Sequence, residues 1–119
     1  MEKAIAILFM SREMAHKVHF KVIGAGSYAT HTALGGFYDS VIDLADGLGE
    51  AYQGRYGIME DIPVMDYKGD MEDPAAMLEV HCKMFENATK GVTDRYLMNL
   101  VDGVVDLYMS TVYKLKYLK

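Results

Sequence analysis

The chain has 119 residues, 51% apolar and 24% charged, a balance that fits one domain (1–119) with a modest core and excludes a disordered chain. Its 17 acidic against 12 basic side chains leave a formal net charge of −5 with neutral histidines, the wrong sign for a protein that neutralises phosphate with clustered Lys and Arg. A single cysteine, Cys82, excludes a disulfide framework and a Cys-cluster zinc site, and the longest apolar run, Ala4 to Met10, falls far short of the ~20 residues of a bilayer span.

Apolar residues at Ala4, Ile7, Leu8, Met14, Ala15, Val18 and Val22 recur at three and four, which predicts a first helix from Glu2 to about Val22. Gly24-Ala25-Gly26-Ser27 breaks it. A second helix is expected from about Ser27 or Ala29 to Tyr52, with Leu34, Phe37, Tyr38, Val41, Ala45 and Leu48 on one side. Its internal glycines each cost ~1 kcal/mol against alanine, so something must compensate or require close backbone approach. Gln53 to Glu72, with Pro63 and several turn residues, reads as a long irregular connection with room for one short helix. Asp73-Pro74 starts a third helix, Asp as N-cap and Pro in the first turn, running to about Lys90-Gly91. A fourth begins at about Thr93 and carries Leu97, Leu100, Val101, Val104, Tyr108, Val112 and Leu115. The expected fold is all-α: a four-helix bundle with a long irregular connection between helices two and three, and no strands.

Four metal-competent side chains stand out: His19, His31, Asp46 and Glu50. His19 lies near the end of the first helix and His31 near the start of the second, so an antiparallel hairpin makes them neighbours. Asp46 and Glu50 are four apart and stack on one face. Neutral imidazole with carboxylate suits Fe(II), Mn(II) or Zn(II). The fifteen residues from His31 to Asp46 span ~22 Å of helix, so the two pairs cannot share an ion within one subunit. At ~100° per residue, however, His31, Asp46 and Glu50 project within ~100° of one another. A two-fold axis crossing that face would bring the histidines of one chain to the carboxylates of its partner, making two equivalent sites. Asp39 and Asp43 extend the acidic stripe, and Asp43 is a further candidate ligand. Taken singly, each residue has an ordinary explanation: histidines often cap or decorate helix ends, and an acidic stripe is usually a solvated face.

Other features have simpler accounts. Glu13 and His16 form a Glu-x-x-His unit, but di-iron bundles with the site inside one subunit need two such units and two more glutamates. Glu79 and His81 point different ways on the third helix, and His81 and Cys82 fit core or interface positions. Ten methionines fit adaptable packing. Tyr108, Tyr113 and Tyr117 fit packing with hydrogen-bonded hydroxyls, while a tyrosine near an iron site would offer a redox relay. Lys114, Lys116 and Lys119 complement a helix C-terminus.

At the four metal-competent residues the chain resembles the Dps family, the mini-ferritins. His19-Phe20-Lys21-Val22-Ile23-Gly24 is similar to that family's His-Trp-Asn-x-x-Gly stretch, and the steps of twelve, fifteen and four through His31, Asp46 and Glu50 are those of its ferroxidase ligands. The resemblance is specific from about residue 16 to 53 and architectural beyond. It implies a ferritin-like subunit in a homo-oligomer, a dimer or a dodecameric shell. It also implies iron oxidation at dimer interfaces by peroxide or oxygen, iron storage, and catalytic roles for His19, His31, Asp46 and Glu50. Phe20 replaces the usual Trp, Gly35 stands where many members carry a further acid, and no Lys-rich N-terminal arm of the DNA-binding members is present. The compactness is closest to ferritin-like proteins of some bacteriophages. The expected setting is the cytoplasm, of a host cell if phage-encoded, with no membrane or nucleic-acid partner. Iron is the expected metal, with zinc or manganese able to take its place. The rival expectation is a non-enzymatic helical oligomer, a scaffold or binding module with a vestigial or structural metal.

Overall fold

A computed structural model describes residues 1–119 as four helices and no strand: α1 (Glu2–His19), α2 (Ser27–Tyr56), α3 (Pro74–Ala88) and α4 (Arg95–Tyr117). The boundaries differ from the sequence expectation for local reasons. α1 ends at His19 rather than Val22 because the amides of Phe20 and Lys21 bond three residues back, to Lys17 and Val18, which tightens and closes the last turn. α2 runs four residues beyond Tyr52 and ends where Gly57, at φ 96°, adopts a conformation that other residues rarely reach. α3 begins as expected, the Asp73 carboxylate accepting from the Ala76 amide at 3.2 Å with Pro74 in the first turn. At α4 the cap is Asp94, one residue after Thr93, accepting from the amides of Tyr96 and Leu97. Neither the short helix allowed for in the 53–72 stretch nor any other interrupts the connection.

The start of α1 and the end of α2 share one cavity wall with the end of α3 and the start of α4, through Tyr52, Tyr56, Ala88 and Leu97. Val22, Thr30, Pro74 and Leu115 meet at the opposite end. Thus α1 and α4 run one way and α2 and α3 the other. The contacting pairs are α1–α2, α2–α4, α4–α3 and α3–α1, so parallel helices sit on the diagonals. Residues 57–73 must therefore travel the length of the bundle, whose long dimension is 48 Å. Seventeen extended residues can reach ~56 Å, enough for the crossing.

The crossover is tied down along its course. The Glu60 amide donates to the Glu2 carboxylate at 2.8 Å, and the side chains of Met59 and Ile5 both close over Gly49. Ile62, Met65 and Met71 cover the core, and Tyr67 lies under the Lys17 ammonium at 4.9 Å. Between the helices, Ile7, Leu8, Met14, Leu34, Phe37, Leu48, Met77, Phe85 and Tyr108 are fully buried. The methionines thus serve as packing, with Met10, Met14 and Met77 inside the core and others at its edge. No helix is long and apolar enough to cross a membrane.

The cost carried by the α2 glycines is not explained within the chain. A Cβ at Gly35, Gly36, Gly47 or Gly54 would meet nothing within 4 Å, and only Gly49 lies against other side chains.

Candidate metal centre

The turn after α1 is short, and Gly26, at φ 80°, redirects the backbone into α2. This brings His19, the last residue of α1, against His31 on the second turn of α2. Their rings stack with centroids 3.7 Å apart and planes 25° from parallel. His31 Nδ1 lies 3.0 Å from the His19 carbonyl oxygen. A carbonyl only accepts, so Nδ1 carries the proton and donates, and in the neutral ring Nε2 keeps the lone pair. Metal-binding histidines are commonly oriented by such a bond from the far ring nitrogen.

His19 is treated differently. Its Nδ1 is buried and has no hydrogen-bond partner. Burial, followed by repulsion from His31 and His16, pushes its pKa below the ordinary imidazole range, while the His16 carbonyl and Asp39 pull weakly the other way. The shift favours the neutral ring, the form that can bind a metal.

Around this pair three more rings close a cluster. His16 stacks on Tyr38, centroids 4.1 Å apart and planes 16° from parallel, and on Phe20 at 5.4 Å. His19 meets Tyr38 edge-on at 5.3 Å and Phe20 at 4.9 Å. The Glu13-x-x-His16 unit does not act as a pair. Glu13 instead bridges to Lys17 at 3.5 Å, and the Tyr67 hydroxyl, with Lys17, holds its carboxyl below the usual range.

Asp39, Asp43, Asp46 and Glu50 are all exposed along α2, and none belongs to an ion pair within the chain. Helical rise sets Asp46 ~22 Å from His31, as the spacing requires. The single chain accordingly holds no group of three or more His, Cys, Asp or Glu side chains placed to hold a metal ion. The structure brings His19 to His31, leaves Asp46 and Glu50 far along the same helix, and sets Asp39, the nearest of the four acids, close enough to act on His19. Between them, an open depression of about 400 Å³ is lined by Phe9, Arg12, His16, Phe20 and Ile42.

His81 is a core residue, as its place on the third helix suggested, but its partners were not legible in the sequence. His81, fully buried, has Nε2 2.6 Å from the Lys68 carbonyl and Nδ1 2.7 Å from Ser11 Oγ. Ser11 Oγ is also 2.6 Å from the Tyr108 hydroxyl. The carbonyl fixes every proton when His81 is neutral: Nε2 donates to Lys68, Ser11 donates to Nδ1, and Tyr108 donates to Ser11. Burial pushes the pKa of His81 down and that of Tyr108 up. The network ties α1, α3, α4 and the crossover together. The sequence does place Ser11 on the same three-and-four spacing as Leu8, Met14 and Val18, a polar residue on a buried stripe.

His81 and Cys82 are core residues, the Cys82 thiol pushed up to about 12 by burial and by Glu86. Such a thiol is inert near neutral pH. Glu79 pairs with Lys116 at 2.8 Å, so that lysine binds a side chain of α3 as well as sitting near a helix end. Of the α4 tyrosines, Tyr108 is buried while Tyr113 and Tyr117 are exposed.

Residues 23–115 match the family of unknown function DUF5856, and since this span is most of the chain, the chain belongs to that family. Neither the curated proteins nor the solved structures contain a match.

Proposed function

For this member of DUF5856 we propose a Dps-like role: Fe(II) bound and oxidised at sites shared between two subunits of a homo-oligomer. The observation that carries the reading is the meeting of His19 and His31, with His31 Nδ1 committed to a backbone carbonyl and its Nε2 left to a ligand. Two further features support it. The helix order, antiparallel neighbours with one long crossover, is the connectivity of ferritin-like folds. The unpaired carboxylates occupy the same face of α2 at the other end, as a two-fold pairing requires.

In such a dimer, His19 and His31 of one subunit meet Asp46 and Glu50 of the partner. The carboxylates balance the ferrous charge and stabilise the ferric product, with Asp43 near enough in register to add a ligand. Iron enters as substrate and peroxide or oxygen as oxidant; Zn(II) or Mn(II) would fit the same donors. Gly35 has no ligand to offer, so a second iron at the site would need Asp43 or Asp39 as its carboxylate. Assembly into a shell of about twelve, iron storage within it and a cytoplasmic setting belong to the same reading and rest on the family resemblance.

The test is the growth of ferric absorbance after peroxide is added to Fe(II)-loaded protein, wild type beside Asp46→Ala/Glu50→Ala. Loss of the rapid phase in the variant is expected; equal rates overturn the proposal. Gly35 favours a second reading, a scaffold or binding module in the same bundle. That reading requires a correctly assembled oligomer that retains no iron, zinc or manganese after repletion.

A further inference from the structure

Charge is divided along α2. From Ser27 to Tyr38 the helix carries no Asp, Glu, Lys or Arg, whereas Asp39, Asp43, Asp46 and Glu50 all fall in the next twelve residues. These four acids are exposed, and none has an ion-pair partner within the chain. Beside them, on the α1 side, lies the depression of about 400 Å³, where Phe9 and Phe20 stand 40% and 75% exposed and Ile42 is half-buried. Glu13 and Lys17 bridge to each other there, so Arg12 is the one charged side chain of the depression left without a partner.

An apolar surface with a free cation on one side and free anions on the other is complementary to a second copy of itself. Two α2 helices laid antiparallel across their middles put each acidic half against the uncharged half of the other. Parallel packing would stack acid on acid. Gly35 and Gly36 keep the uncharged half low: a Cβ at either would meet nothing within 4 Å, and a partner helix can approach closely. The division of charge sets the crossing at Asp39, and the pairing of His31 with the partner's Asp46 has its midpoint at the same level. At that crossing the two Asp39 carboxylates draw near each other, a repulsion that needs a counter-charge. Arg12 shares the depression with Ile42, three residues or ~4.5 Å of helix from Asp39. We infer that the α1–α2 face is a two-fold interface between copies of this chain, closed by Arg12 of each subunit on the partner's Asp39. This pairing of subunits is the one on which the proposed function rests, though iron has no part in forming it.

Disulfide trapping and sedimentation velocity, both on metal-free protein in EDTA, test the interface. Asp39→Cys puts two thiols near the axis, where mild oxidation with diamide should link most subunits in pairs. Asp46→Cys puts them ~21 Å apart along the helices and should link few. The native Cys82 is buried and stays silent. In sedimentation, Arg12→Glu or Asp39→Arg alone should weaken association about ten-fold or more, and the combined Arg12→Glu/Asp39→Arg chain should regain it. All three positions are exposed, so helix content by circular dichroism should stay unchanged. A monomeric wild type in EDTA overturns the inference and leaves the face to a different protein. Equal linking by the two thiol variants, or a charge-swapped chain no tighter than the single variants, overturns it as well. Linked dimers that fail to oxidise Fe(II) leave the interface standing and overturn the ferroxidase reading. Iron oxidation by protein that does not link through Asp39→Cys does the opposite.

Discussion

At His81 both ring nitrogens have partners, and a chain of defined donors and acceptors runs from the Tyr108 hydroxyl to the Lys68 carbonyl, all inside one subunit. At His19 one buried nitrogen has no partner, the neighbouring His31 keeps a free lone pair, and the carboxylates on the same face are unpaired. Both histidines are shifted toward the neutral form by burial, so titration alone does not distinguish them. Completeness does. A network satisfied within the chain contributes to stability, whereas one left open is available to something outside it.

The largest stability effect is expected on the closed side. Ser11→Ala strips a partner from His81 Nδ1 and from the Tyr108 hydroxyl at once, and leaving buried groups unpaired costs ~1–3 kcal/mol each. Urea unfolding should show a loss of about 2–4 kcal/mol with iron oxidation unchanged in the folded fraction. Asp46→Ala/Glu50→Ala should do the reverse, abolishing oxidation while the unfolding midpoint moves by no more than ~0.5 kcal/mol in equivalent stability, because both side chains are exposed. If Ser11→Ala removed the oxidation and left stability intact, the division between the two sites would be wrong.

A pH series probes both together. The folded pKa values of His81 and His19 lie below the unfolded value near 6.5, so the native state binds fewer protons in the window between them. Their contribution to stability is whole above about pH 6.5 and is lost as pH falls through that window. Replacing His81 should flatten the low-pH slope of chemical stability, whereas His19→Gln should remove iron binding and flatten it less, since His81 is the more deeply buried. The smallest effect tests the unexplained glycines. Gly47→Ala has open space and ordinary helical backbone, and should stabilise the monomeric fold by about 0.5–1 kcal/mol by thermal melting. Destabilisation of the assembled protein by the same change would place Gly47 against a partner.

Much of the bundle was legible in the sequence because its signals are local. Asp73-Pro74 announced α3 through an N-cap and a first-turn proline, and the α4 stripe from Leu97 to Leu115 announced itself by spacing. The errors arose where local signals competed. The irregular stretch expected from Gln53 begins only after Tyr56, and Val22 continued an apolar spacing after the backbone of α1 had already turned. Ser11 carries no apolar signal of its own, although its position lies on the buried stripe.

The sequence by itself determined the four helices, the crossover, the nearness of His19 to His31 and the separation of both from Asp46 and Glu50, since helical rise and turn length set these quantities. Only the tertiary structure decided which nitrogen of His31 is tied to a carbonyl, that Tyr38 rather than Glu13 accompanies His16, and that His81 is clasped between Ser11 and the crossover. Those outcomes depend on how side chains from different helices share one interior, and residues seventy positions apart, such as Ser11 and His81, leave no periodic trace of their partnership.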